Sequence, residues 1–206
     1  MNEFEMESGD FFDLASLYLD ALLRVQSEAA SRKIIKAVEQ GTDIRDIYIH
    51  VFESSQHEIG RLWQNNQINM YQEHFCTAAT QNIMSQLYPY IFQNEKIGHK
   101  LVATCVNGEL HEIGVRMVAD LFEMEGWDTY YLGANTPAES VLKTLKQLKP
   151  DILAISISMP FNIGSIVELI TKIKQYPEDL DVKVIVDGRP FIISPMHKKL
   201  FLSGIG

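Results

Sequence analysis

The hydrophobic period of this chain changes once, near Lys100, and that change restricts the fold to two units of different kinds. Up to about Asn94 the spacing is helical. Phe11, Leu14, Leu17, Tyr18, Ala21 and Leu22 recur at i, i+3, i+4 and predict a first helix. A second helix is expected from about Ser27 to Gln40, stopped by Gly41 in a left-handed cap. Thr42 or Asp43 is placed to cap a third helix that runs to about Trp63. After the polar break Gln64-Asn65-Asn66-Gln67, Asn69 and Gln72 resemble a capping box for a fourth, from Met70 to about Phe92. Four helices on short loops predict an antiparallel bundle.

Beyond Lys100 short apolar runs alternate with helical patterns. Strands are expected at Leu101–Val106, Thr129–Leu132, Ile152–Ile157 and Val182–Val186. Helices are expected near Ile113–Glu125, Ala138–Leu148 and Ile163–Tyr176. This alternation implies an α/β unit: a Rossmann-like, flavodoxin-like, doubly wound parallel sheet with right-handed crossovers. Such sheets bind ligands outside the carboxyl ends of their strands, so informative residues should follow each strand. The expected domains are 1–95 for the bundle and 100–206 for the sheet, with Asn94 to Lys100 as linker.

Composition narrows the function classes. The 206 residues carry a formal net charge of −9, which disfavours direct nucleic-acid binding, because that affinity comes from Lys and Arg on phosphates. Two cysteines, Cys76 and Cys105, lie in apolar segments and read as reduced thiols of a cytoplasmic protein. The start, MNEFEMESGDFF, lacks the basic opening of a signal peptide, and no apolar run approaches the ~18 residues that span a bilayer. No membrane contact is expected.

The loop after the first strand reads Asn107-Gly108-Glu109-Leu110-His111-Glu112-Ile113-Gly114. A carboxylate two residues before a histidine can accept one ring N–H, fix the tautomer and raise the basicity of the other nitrogen, as a metal-ligating imidazole requires. Gly108 and Gly114 leave room for a bulky ligand. Alone, the same residues also describe a surface histidine in a local ion pair at a helix start.

The pattern E-x-H-x-x-G, formed by Glu109, His111 and Gly114, resembles the cobalamin-binding motif of Rossmann-like corrinoid domains, in which Asp is commoner at the first position. Leu132-Gly133-Ala134-Asn135 resembles that family's second strand and loop. Ser156 and Ser158 match the position of a serine beside the buried nucleotide tail, and Asp187-Gly188 falls where the family has Gly-Gly. The resemblance implies base-off binding with His111 as lower cobalt ligand and with Gly108, Glu109, Gly114, Ser156, Ser158 and Gly188 around the cofactor. Asp187 adds bulk and charge near the tail.

The helical half carries a second pattern: Trp63, then Met70, then Glu73 and His74, the last three sharing one helical face. Each alone is ordinary; Trp63 would read as core packing, Glu73 and His74 as a solvated pair. Together they resemble the cap of adenosylcobalamin-dependent photoreceptors, including the MerR-type light-responsive repressors. That resemblance implies Trp63 packed over the upper ligand, with Glu73 and His74 on the adenosyl group. Those repressors have a histidine directly after the tryptophan; Gln64 stands there here, which argues against a bis-histidine light state through that position and leaves His57 and His74 as candidates. Photocobilins, which add biliverdin, resemble the chain more closely still, with Arg189 of Arg189-Pro190-Phe191 available to a propionate.

The expectation is therefore a light-sensing module, not an enzyme, that holds adenosylcobalamin between bundle and sheet, with biliverdin as a second chromophore in the photocobilin form. It would form a homo-oligomer, dimer or tetramer, and control a downstream effector. Leu200 to Gly206 resembles the approach to a fifth strand, so an effector beyond Gly206 is expected. The alternative is a corrinoid methyl carrier serving a methyltransferase. A third possibility is a degenerate domain that binds no cobalamin.

Overall fold

The computed structural model describes residues 11–176 and 180–193. The chain divides into two compact units, which meet between Phe92 and Gln93. The fold matches the expectation: a helical N-terminal unit, then a Rossmann-like unit built on a four-stranded parallel sheet.

In the helical unit, α1 (Phe12–Leu23) packs on α2 (Ser27–Glu39), α4 (Ser54–Gln64) and α5 (Met70–Gln86). Tyr18, Ala21 and Leu22 of α1 are buried, whereas Leu17 faces solvent, so the apolar face is narrower than its spacing suggests. Asp43 caps the third helical run by accepting the Arg45 N–H, and Asn69 with Gln72 forms the expected capping box of α5. Two features differ from the expectation. The third run opens as a short α3 (Ile44–Asp46), passes through a π-helical segment at Ile47–Glu53 and only then becomes α4. The wider π turn keeps Ile47, Tyr48, Val51 and Phe52 all buried. The fourth run stops at Gln86, and a separate turn, α6 (Tyr88–Ile91), follows around Pro89.

One polar knot sits in this core. Thr80 Oγ1 donates to the Cys76 carbonyl at 2.9 Å and accepts from Gln56 Nε2 at 2.8 Å. Its single proton is thereby used, so the buried Tyr18 hydroxyl, 2.8 Å away, is the donor in that pair. Burial raises the phenol pKa, which keeps it protonated for this task.

In the second unit the sheet order is β2-β1-β3-β4, all parallel: β1 (Lys100–Val106), β2 (Asp128–Thr136), β3 (Ile152–Ser156) and β4 (Lys183–Asp187). Alternate β1 residues point to opposite faces. Leu101, Ala103 and Cys105 pack under Val115 and Ala119 of α7 (Ile113–Met124). Val102 and Val106 pack with Val141 and Leu145 of α8 (Ala138–Leu148) and with Ile166 and Leu169 of α9 (Ile163–Lys174). Both faces are covered, so β1 reads as a continuous apolar run. Burial also pushes the Cys105 thiol up to about 12 and Cys76 to about 11, so both cysteines are unreactive thiols.

β2 runs four residues past its expected end. Its ladder with β1 slips after Ala103 and again after Thr104, where Gly133 and Asn135 take positive φ. Residues 94–99 are fastened to the α7–β2 corner. Asn94 donates to the Met124 carbonyl, Lys96 reaches the buried Glu123 carboxylate, and the Ile97 N–H meets the Gly126 carbonyl at 2.9 Å. Gly188, after β4, has φ +135, and a Cβ there would lie 1.8 Å from the Ile157 carbonyl. Arg189 opens the short helix α10 (Arg189–Ile193), while the expected fifth-strand approach lies outside the described residues. Among the described residues no helix is long and apolar enough to cross a membrane.

Tyr18→Phe should lower unfolding stability by about 1 kcal/mol, because Thr80 keeps its other two bonds. Thr80→Val should cost more, about 1–3 kcal/mol, since two donors then face a methyl group. Urea midpoints of the two variants test the order.

Candidate functional site

The connection order places a topological switch point between β1 and β3: the chain leaves β1 toward β2 and leaves β3 toward β4. The loops after those two strands face each other there and are joined by one carboxylate. Glu109 is fully buried. Its Oε1 contacts His111 Nδ1 at 2.6 Å and accepts the His111 backbone N–H at 3.0 Å. Its Oε2 accepts the backbone N–H groups of Ser158 at 2.9 Å and Met159 at 3.0 Å, and Asn162 Nδ2 at 3.1 Å. Burial alone would raise its pKa. The bonds from His111, Met159 and Ser158 outweigh that and hold the carboxyl near about 2.

The pairing through Nδ1 leaves Nε2 as the nitrogen that a ligand can meet, and the imidazole is 56% exposed. Among the described residues no group of three or more His, Cys, Asp or Glu could cage a metal ion. His111 is thus suited to be the one protein ligand of a metal whose remaining ligands arrive with it.

The two motif glycines serve different ends. Gly108 has φ +86, and a Cβ there would press on Asn162 Oδ1 at 2.9 Å, so the loop itself requires it. Gly114, in the first turn of α7, has nothing within 4 Å of a hypothetical Cβ. Nothing in the chain's own packing calls for a glycine in that helix. Open space at that turn is what a bulky planar group needs, and the exposed Leu110 and Phe161 flank the same loops with apolar surface. These residues fit a corrinoid.

Sequence reasoning missed three further members. Asn162 clamps Glu109 and also donates to the Gly108 carbonyl at 3.2 Å. Glu112 accepts the Tyr131 hydroxyl at 2.7 Å and the Ala134 N–H at 2.8 Å, tying the start of α7 to β2. Asn135 binds the Gly108 N–H at 2.8 Å. Asn135 stands in the segment likened to the family and Glu112 in the motif loop, each without an assigned role, and the only sequence signal for Asn162 is its position after a strand. Of the expected tail residues, Ser158 joins the site through its backbone N–H, Ser156 ends β3 opposite Cys105 and Asp187, and the Gly188 conformation is demanded by Ile157.

In the helical unit Trp63 is 48% and Met70 62% exposed, so neither is core packing. Trp63 closes α4 and Met70 opens α5. Glu73 lies 3.4 Å from His74 and accepts the Thr77 hydroxyl at 3.2 Å. His57 and Gln64 are exposed on α4.

The profile of the B12 binding domain family matches residues 99–201, and a second B12 binding domain profile matches residues 14–88. This chain belongs to the B12-binding family. Trimethylamine corrinoid protein 1 of Methanosarcina mazei is 24% identical over 177 residues, covering 83% of this chain and 81% of that protein. The HTH-type transcriptional repressor CarA of Myxococcus xanthus is 27% identical over 89 residues, 43% of this chain and 31% of the repressor. Among solved structures, the Methanosarcina barkeri monomethylamine corrinoid protein shares the fold with a TM-score of 0.76 at 21% identity, covering 87% of this chain and 86% of that one. In this chain the motif residues Glu109, His111 and Gly114 stand together at the switch point.

Two outcomes follow. The depressed Glu109 pKa contributes stability that is fully present above the ordinary carboxylate value near 4.5 and is lost as pH falls through about 2. Glu109→Gln should therefore cost about 1–3 kcal/mol at neutral pH, and the gap in urea midpoint from wild type should close between those pH values. Gly114→Ala should leave the cofactor-free protein as stable or up to about 1 kcal/mol more stable, yet weaken cobalamin binding, measured by titration.

Proposed function

We propose that this chain binds cobalamin with His111 as lower ligand and carries a methyl group on it for partner methyltransferases, without turning over a substrate itself. One observation carries the reading: a fully buried carboxylate commits Nδ1 of an exposed imidazole, and so presents Nε2 to a ligand at the switch point. When bound, the corrinoid supplies a cobalt–carbon bond that can be made and broken. The chain's own residues hold and orient it. Glu109 keeps the imidazole basic and fixed, Gly114 leaves space for the ring, and Ser156, Ser158 and Gly188 stand at the strand ends assigned to the nucleotide tail. Support for the methyl group comes from relatives named as methylamine corrinoid proteins, which match over most of this chain and most of their own length.

A second reading rests on a different observation. Trp63 and Met70 are exposed on α4 and α5, and Glu73 and His74 follow Met70 on α5. A methyl group needs no flat aromatic surface, whereas an adenosyl group does. In this reading the module senses light through adenosylcobalamin, with Trp63, Glu73 and His74 recognising the adenosyl group. Illumination then changes homo-oligomer assembly and a downstream effector. Gln64 is a poor cobalt ligand, so a bis-histidine light state through that position is not part of it. A bilin, paired by Arg189, belongs to the photocobilin form.

Binding and visible spectra of the loaded protein separate the readings. His111→Ala should abolish the base-off, histidine-on spectrum under either; an unchanged spectrum removes both. Trp63→Ala should weaken methylcobalamin and adenosylcobalamin equally for a methyl carrier, but weaken adenosylcobalamin about tenfold more for a sensor. Green light should change the adenosylcobalamin-loaded assembly only for a sensor, and a new red band with biliverdin marks the photocobilin form.

A further inference from the structure

His111 stands on a loop that has no regular structure between the end of β1 at Val106 and the start of α7 at Ile113. Such a loop does not fix a metal ligand by itself. Two neighbouring segments do so, one on each flank. From the β3 side Asn162 reaches the Gly108 carbonyl and Glu109. From the β2 side Asn135 makes two bonds to the same pair. Its backbone N–H donates to the Glu109 carbonyl at 2.8 Å, and its Oδ1 accepts the Gly108 N–H at 2.8 Å.

Asn135 is unusual in its own strand. It adopts φ 51, in the left-handed region that few non-glycine residues enter and that asparagine tolerates best. It is exposed, so no packing in the core demands it. The β1–β2 register is disrupted over the same stretch, between Thr104 and Val106. The conformation yields one result: it turns both polar groups of Asn135 onto the Gly108–Glu109 backbone.

We infer that Asn135 is a positioning residue for the cobalt ligand, holding the Gly108–Glu109 segment from the β2 side so that Glu109 and His111 keep their reach. The inference rests on His111 being the lower ligand. Asn135 acts through Gly108 and Glu109, and its loss lets the loop drift from one flank while Asn162 still holds the other.

The test uses three full-length proteins loaded with cob(II)alamin. Asn135→Gly retains the left-handed backbone and its N–H bond to Glu109 and deletes only the side-chain acceptor. Asn135→Asp retains the acceptor. Nitrogen splitting in the electron paramagnetic resonance spectrum reports the ratio of histidine-on to histidine-off cobalt, which a merely structural role would not move. Asn135→Gly should lower that ratio about fivefold, the effect of one neutral hydrogen bond of about 1 kcal/mol. Asn135→Asp should stay within about twofold of wild type. In the cofactor-free protein, the Gly108 amide should exchange about fivefold faster in Asn135→Gly. A wild-type ratio in Asn135→Gly, or an equal loss in Asn135→Asp, overturns the inference. Wild-type protein without nitrogen splitting overturns the assignment of His111, and the inference with it.

Discussion

A single carboxylate joins everything that matters in the sheet unit. Placing Glu109 in the interior is unfavourable for a charge unless its lone pairs are filled. Here four donors besides the imidazole fill them: three backbone N–H groups and one amide. The carboxyl stays ionised because those donors outweigh the desolvation. Removing it would leave the loop after β3 with unmatched N–H groups and His111 without an orienting partner. The same group thus stabilises the switch-point crevice and sets the tautomer of the ligand it presents.

Glu109, at a motif position where aspartate is commoner, divides its two oxygens between two loops. Oε1 serves the β1 loop, and Oε2 serves the β3 loop. The longer arm of glutamate lets one side chain span both while remaining buried. Asn162 and Asn135 then brace the neighbouring backbone from opposite sides, and Glu112 anchors the first turn of α7 to Tyr131 and the β2 loop. The imidazole is therefore held by a frame drawn from three strand ends rather than by its own loop.

Much of this was legible in the sequence, for identifiable reasons. The change of period at Lys100 follows from geometry that tertiary packing did not override, so helix and strand identities were readable. Asn69 and Gln72 were legible because a capping box is local. The π segment at Ile47–Glu53, whose Tyr48 and Phe52 rings pack together in the core, was not. Glu109 with His111 was visible as a spacing. Asn135, Glu112 and Asn162 were not, because their partners lie 19 to 54 residues away and only the strand order brings them together. The relatives also favour methyl carriage over the light-sensing expectation, which rested on few residues of the helical unit.

Those few residues still ask for an explanation. A sequence that specifies a fold is locally consistent, and departures from consistency mark function. Glu109 breaks the rule against buried charge, Asn135 the rule against left-handed side chains, and Gly114 the rule against glycine in a helix with empty space around it. Glu109 and Gly114 flank His111 in the chain, and Asn135, near the end of β2, bonds to Gly108 and Glu109. Trp63 and Met70 are exposed, as are Leu17, Ile49 and Tyr71 of the same unit. The departures from local consistency therefore gather around Glu109 in the sheet unit, and the exposed residues of the helical unit carry no comparable one.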